Sequence, residues 1–242
     1  MSILRSTVLL FFAVSFGPGS AQAQSGAQTV SLQIGGVTVL VPTPQGFTET
    51  SRRSKDLWNL ALAYSAGDAR IIGHFVTHKD FTAFEKGETV TFKEFLLVQT
   101  PRRAESLTAT QAQFDKLRSG TVALQADLEK RLEPRLATEL DKVAKAVSAE
   151  QRLDIKVRLG EIVPVSGDRN DSRVLIFTLL SQVGNPKDKT STNQIMVGTT
   201  AYCFVSGKVI MLIANRHFRT PQDIQSSRNF VDAWATGVLA AN

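Results

Sequence analysis

Residues 174–183, VLIFTLLSQV, decide the fold, because apolar side chains occupy both alternating faces of this stretch. On an extended chain two apolar sets would point in opposite directions: Val174, Ile176 and Leu180, and Leu175, Phe177 and Leu179. A strand that is apolar on both faces has to be covered on both faces. The sequence therefore predicts a central β-strand between two other layers.

Three neighbouring stretches extend this strand into a sheet. Residues 195–205 (IMVGTTAYCFV) and 209–214 (VIMLIA) are also apolar or mixed on both faces, whereas 155–159 (IKVRL) alternates and has one polar face. The links are short, a polar loop at 185–189 and the pair Ser206-Gly207. Short links favour antiparallel neighbours, since parallel pairing needs a longer crossover. We predict an antiparallel meander, with the 155–159 strand nearer an edge.

The chain closes with a helix. Thr220 is a suitable N-cap, Pro221 suits the first helical position, and Asp223 favours the positive start of a helix. One stripe at helical spacing follows: Ile224, Ser227, Val231, Trp234 and Val238. We expect this stripe to cover one face of the sheet, with Trp234 as a core residue rather than a ligand contact.

The first half of the chain supplies further elements. The pattern predicts a hairpin over 32–41 around Gly35-Gly36, a helix over 54–64, a strand over 70–77, a helical turn over 80–85 and a strand over 89–99.

A long helical region spans about 108–150. Thr108 and Gln111 have the spacing of a capping box. One straight helix of this length would reach about 60 Å, longer than the roughly 45 Å diameter of a globule of this size. Pro134 offers a break, so we predict two helices or one sharp kink.

Together these elements predict an α+β fold, an antiparallel β-sheet covered by helices on both faces (an α/β/α sandwich), with an enlarged kinked helical region at about 108–150. The hairpin that ends in Pro44-Gln45-Gly46-Phe47, the late meander and the closing helix resemble the PsbP/DcrB-like α/β/α sandwich superfamily. Residues 31–47 and 155–239 carry the resemblance. It implies non-catalytic binding and assembly roles, often in bacterial envelopes or photosynthetic lumens, and assigns no residue a role.

The N-terminus has the pattern of an export signal. Arg5 precedes an apolar run at 8–16, and Ala21-Gln22-Ala23 fits a cleavage site. The run is too short to span a bilayer, and no later run is long enough. Without a cysteine near the cleavage site, a lipid anchor is not expected. We predict a signal peptide at 1–23, a single α+β domain at 24–242 and a soluble periplasmic or secreted protein without a transmembrane helix.

The charge points to anionic partners. The formal net charge of +6 includes Arg5, which leaves with the signal peptide. An envelope protein, an anionic lipid or a glycan fits this charge, whereas export removes the chain from nucleic acid. Candidate anion- or partner-binding residues are Arg102, Arg103, Arg216 and Arg219. The sequence leaves the oligomeric state open.

The histidines are the candidate metal ligands. On an extended strand His74, His78 and Asp80 would share a face, and His217 lies at a predicted strand end. Imidazole and carboxylate bind zinc. The alternative, a half-buried His74 and a loop His78 that never meet, is favoured, so no cofactor is the preferred expectation.

Catalytic patterns are missing from the sequence. There is no Gly-x-Ser-x-Gly, and Cys203 is expected to be a buried apolar side chain in a strand. The preferred interpretation is a non-enzymatic binding or envelope-assembly protein with a basic surface. Two alternatives stay open: a metal-dependent hydrolase centred on His74, His78 and His217, and a carrier that holds a small apolar ligand between sheet and helices.

Overall fold

The computed structural model describes residues 28–63, 68–127, 162–165, 169–183 and 194–242. The predicted signal peptide, the strand expected at 155–159, the loop at 185–189 and the break at Pro134 lie outside the described residues.

Strands and helices follow the chain in an α+β order. The strands are β1 (Thr29–Ile34), β2 (Val37–Pro42), β3 (Phe47–Glu49), β4 (Ala69–Thr77), β5 (Glu94–Pro101), β6 (Ile162–Val165), β7 (Val174–Val183), β8 (Gln194–Val205) and β9 (Lys208–His217). The helices are α1 (Lys55–Ala63), α2 (His78–Glu85), α3 (residues 111–127 of the described part) and α4 (Pro221–Ala241), with a 3-10 turn at Arg102–Ala104.

One antiparallel sheet carries the fold. Its strand order is β3-β4-β5-β9-β8-β7-β6, and β1 pairs with β2 in a separate hairpin. The meander predicted for β7, β8 and β9 is confirmed, with Leu175 opposite Tyr202 and Tyr202 opposite Met211. β5 lies next to β9, with Glu94 opposite Arg216. The C-terminal meander is therefore continued by strands from the first half of the chain.

The two faces of the sheet have separate cores. On one face α4 and the β1–β2 hairpin bury Phe75, Leu96 and Leu212, and the Phe75 ring meets Trp234 edge-on at 5.8 Å. On the other face α1 and α2 cover Val76 and neighbouring apolar residues. β4 contributes to both cores, Ile72 and Phe75 to one and Ile71 and Val76 to the other, and a register irregularity between Ile71 and Gly73 shifts the alternation of its side chains. The predicted antiparallel sheet with helices on both faces is confirmed.

The predicted stripe of α4 is buried. Ile224, Ser227, Val231, Trp234 and Val238 all face the sheet or the hairpin. The Asp223 carboxylate accepts hydrogen bonds from the backbone N–H groups of Arg219 and Thr220, at 2.8 and 2.7 Å. Thr220 is the N-cap that the sequence predicts, and the Asp223 carboxylate satisfies the two backbone N–H groups just before the helix.

The glycine pair turns the hairpin as expected. Gly35 and Gly36 have φ of +51° and +81°, the left-handed region that side chains with a Cβ avoid. A Cβ on Gly35 would lie 1.9 Å from the backbone oxygen of Glu105, whereas one on Gly36 would meet open space. Trp234 Nε1 donates to the Pro42 oxygen at 3.0 Å and ties the hairpin to α4.

Two arginines contact the outer edge of the hairpin. Arg52 Nη2 donates to the Ser31 oxygen at 2.6 Å, and Arg70 Nη2 donates to the Gln33 oxygen at 3.0 Å. Ser31 and Gln33 are two residues apart on β1, so both carbonyls leave the same edge of the strand.

Three predicted boundaries are wrong. β5 begins at Glu94 rather than at Thr89, and α2 begins at His78 rather than at Asp80. The helix near 108 begins later than predicted: the capping partners are Thr110 and Gln113, whose side chains bond each other's backbone N–H at 3.3 and 2.8 Å. The reason is a hydrogen bond from Ala109 N–H to the Gly207 oxygen, which keeps residue 109 outside the helix. Within the described ranges, no helix has the length and apolar character needed to cross a bilayer.

Candidate functional site

His74 is buried rather than half-exposed. Its side chain lies under α1 on β4, with 2% exposure, and its Nδ1 is 2.6 Å from the hydroxyl of Thr50. The Phe95 ring lies 6.4 Å from the imidazole. Burial lowers the pKa of His74 from 6.5 to about 4, because charging the ring there would cost its hydration. His74 is therefore neutral at ordinary pH and joins β3 to β4.

His78 and His217 lie in different settings. His78 is the first residue of α2, is exposed, and its Nδ1 lies 2.5 Å from Thr48 Oγ1. His217 ends β9; burial lowers its pKa first, followed by the positive charges of Arg219 and Lys93. Each imidazole thus has its own local partners.

The premise of a histidine–aspartate face on an extended chain is wrong. The strand stops at Thr77, and Asp80 lies in the first turn of α2, where its backbone N–H donates to Thr77 Oγ1 at 3.1 Å. Across the described segments, no three His, Cys, Asp or Glu side chains are placed to hold a metal ion. His74, His78 and His217 are not brought into one ligand set there.

Cys203 is a core residue. Its side chain is fully buried on the α4 face of the sheet. Burial raises the pKa of the Cys203 thiol to about 12. A nucleophilic cysteine needs a thiolate near neutral pH, so the thiol is protonated and packs as a small apolar side chain.

Of the two predicted arginines beside α4, Arg216 is held by neighbouring groups, whereas Arg219 is exposed. Arg216 Nε lies 2.5 Å from Glu94 Oε1, and the guanidinium sits 4.3 Å from the centre of the Phe230 ring. Burial raises the pKa of Glu94, opposed by Arg216. The carboxylate of Asp223 already occupies the N–H groups that precede α4. These two N–H groups before α4 are therefore satisfied by a group of the chain itself.

The guanidiniums of Arg102 and Arg103, unlike that of Arg216, have no partner in the described part of the chain. They form the 3-10 turn that follows β5, and both are exposed. Among the described residues neither guanidinium has a hydrogen-bond or ion-pair partner. Because Arg216 pairs with the first residue of β5 and Arg102 follows its last, the two arginine pairs lie about 25 Å apart, at about 3.4 Å per residue. The four predicted arginines do not make one patch.

A buried lysine holds the segment after Arg103. Lys208 is 2% exposed, and its Nζ donates to the backbone oxygens of Glu105 and Leu107 at 2.9 and 2.7 Å. Arg70 fixes the same segment through a two-point ion pair, Nε to Glu105 Oε2 at 2.8 Å and Nη2 to Oε1 at 2.7 Å. Such paired contacts are geometrically specific.

Sequence reasoning missed Lys208 and Arg70. A signal for Lys208 was present: positions 208, 210 and 212 alternate onto one face of β9, and Ile210 and Leu212 are apolar. A lysine in phase with two core residues is unusual unless its charge finds partners. The Arg70–Glu105 pair had no such signal, because its members are 35 residues apart.

Charged residues lie at both ends of the sheet. The end beyond Pro101, which we call the basic end, includes Arg70, Arg102, Arg103 and Lys208 beside Asp68 and Glu105. The end around Arg216 includes Lys79, Lys93, Arg216 and Arg219 beside Asp80, Glu94 and Asp223. Arg216 is paired with Glu94 at one end, whereas the guanidiniums of Arg102 and Arg103 at the other end have no partner among the described residues.

Comparison with known proteins adds little. No protein-family model matches the chain, and the curated proteins gave no significant match. A solved structure of the Ran-binding protein Mog1p from Saccharomyces cerevisiae is similar over 89% of this chain and 90% of its own, with 14% identity and a TM-score of 0.33. A likeness at that level carries no argument about fold or function.

Proposed function

We propose that this chain is an exported, non-enzymatic binding protein of the bacterial envelope, and that it holds an anionic partner on its basic end. The observation that carries the proposal is the pair of exposed, unpartnered guanidiniums of Arg102 and Arg103. Arginine at such a site offers a planar set of donors that matches phosphate, sulfate or carboxylate. At the other end of the sheet, Arg216 is paired with Glu94.

The rigidity of the surface supports the same function. Lys208 and the Arg70–Glu105 pair fix the backbone directly after Arg103. A preorganised binding group loses less conformational entropy when its partner arrives. The basic end therefore combines free charge with a fixed backbone.

A polyanion column tests the surface. We expect the double variant Arg102→Glu/Arg103→Glu to elute from heparin–agarose at clearly lower salt than the unaltered protein, because the two unpartnered positive charges of the basic end are reversed. The matched control is Arg53→Glu/Lys55→Glu, which makes the same change in net charge at two other exposed positions.

The control decides between net charge and location. We expect it to elute only slightly earlier than the unaltered protein. Equal losses for both double variants would contradict the proposal, because retention would then follow overall charge. Both pairs are exposed, so thermal unfolding midpoints should agree among the three proteins.

N-terminal sequencing of recovered protein tests the predicted export. The pattern at residues 1–23 supports cleavage after Ala23. We expect protein recovered from the periplasm or medium of an expressing bacterium to begin at Gln24 on N-terminal sequencing. Recovery of a chain that retains Met1, only from the cytoplasm, would count against the envelope role.

A further inference from the structure

The segment from Arg102 to Ala109, which we call the 102–109 loop, is anchored at several points although its surface is exposed. Arg102 N–H donates to the Asp68 oxygen at 2.9 Å, and Ala109 N–H donates to the Gly207 oxygen at 2.8 Å. Between them Lys208 Nζ bonds two backbone oxygens. Loops of this kind are more often mobile, and this one is held by a buried cation.

The anchored loop also carries exposed side chains. The backbone oxygens of Glu105 and Leu107 accept hydrogen bonds from Lys208 Nζ, which holds this part of the loop against the start of β9. Leu107 is 60% exposed, and Arg102 and Arg103 are exposed five and four residues earlier. One exposed apolar residue and two exposed cationic residues therefore lie within six residues of one anchored loop.

We propose that the 102–109 loop docks on a bilayer that contains anionic phospholipids, with Arg102 and Arg103 on the headgroup phosphates and Leu107 inserted below them. This inference rests on the proposed function and names its partner. Interfacial membrane binding combines apolar insertion with attraction of basic side chains to anionic lipids. The loop carries both parts within six residues.

The composition of the loop favours a lipid surface over other anionic partners. A sulfated glycan would use the two arginines but leave Leu107 in water. A stable protein partner needs an interface of about 800 Å² on each side with a buried apolar centre, which three exposed side chains do not supply. A bilayer is continuous, so a small exposed loop can engage it.

Vesicle flotation tests the inference. The purified protein is mixed with vesicles of phosphatidylglycerol and phosphatidylcholine in equal parts, and with vesicles of phosphatidylcholine alone. We expect binding to the anionic vesicles that is lost at about 1 M salt, where exposed charges are screened, and little binding to the neutral ones. Residues 1–23, where retained, contribute equally to every variant compared.

Substitutions locate the contact. Leu107→Ala should lower the partition coefficient about tenfold, and Arg102→Glu/Arg103→Glu about thirtyfold or more. The matched controls are Leu124→Ala, a leucine with 61% exposure on α3, and Arg53→Glu/Lys55→Glu. Both controls should stay within about twofold of the unaltered protein.

The outcomes separate this inference from the proposed function. Heparin retention that depends on Arg102 and Arg103, together with no binding to anionic vesicles, would overturn the lipid inference and leave the anionic-partner function standing. Equal loss in Leu124→Ala and Leu107→Ala would also overturn it, since insertion would not be local. If the unaltered protein bound neither heparin nor anionic vesicles, both the proposed function and the lipid inference would be overturned.

Discussion

Gly35→Ala is expected to lower the free energy of unfolding by about 4 kcal/mol, a larger loss than we expect from the same substitution at Gly36. The new Cβ would lie 1.9 Å from the backbone oxygen of Glu105, and φ at Gly35 is +51°. That oxygen is fixed by Lys208, so it cannot move aside without breaking a buried hydrogen bond.

Gly36→Ala is the matched control for this change. Gly36 has φ of +81° but open space around a Cβ, so only the backbone strain of about 1–2 kcal/mol remains. Urea unfolding of the two variants and the unaltered protein measures the difference. Equal losses of unfolding free energy in the two variants would show that Gly35 does not lie against the Glu105 oxygen in solution.

Acidification is expected to remove about 3 kcal/mol of stability through His74 as the pH falls from about 6.5 to about 4. In the unfolded chain the imidazole takes up a proton near its ordinary pKa of 6.5, whereas burial lowers the pKa in the folded state to about 4. The unfolded state therefore binds more protons in this window. The contribution is complete above pH 6.5 and lost below the folded pKa.

Denaturant unfolding at several pH values measures this loss. Carboxylates also titrate in the window, so the informative quantity is the difference in slope between the unaltered protein and His74→Asn. The variant should be less stable at pH 7, because Thr50 loses its partner at 2.6 Å, and should lose less stability on acidification. Removal of the exposed histidine in His78→Asn should leave the slope closer to that of the unaltered protein. Parallel pH profiles for all three would contradict the assignment.

Local sequence patterns predicted the parts of the fold that depend on neighbours in the chain. The two-sided apolar strands at 174–183 and 209–214, the Gly35-Gly36 turn and the capped start of α4 all follow from rules within a few residues. Contacts between distant segments were not accessible in this way. The pairing of β5 with β9 and the delayed start of α3 both depend on hydrogen bonds across more than 90 residues.

In the candidate site, too, local features could be expected from the sequence, whereas features that depend on distant segments could not. Exposure of Arg102 and Arg103 could be expected from their charge, but their separation from Arg216 follows from antiparallel pairing along β5. The role of Lys208 required its burial to be known. The resemblance to the PsbP/DcrB-like sandwich, the single domain and the carrier of a small apolar ligand stay predictions, since no observation tests them.

The arginines on the hairpin edge have a consequence for contacts between molecules. A free strand edge offers carbonyl acceptors on which a strand of another chain can pair and begin an aggregate. At Ser31 and Gln33 those acceptors are already taken by Arg52 and Arg70. Arg52 and Arg70, which the sequence shows only as charged residues, thus block the pairing of a second chain with the edge of β1.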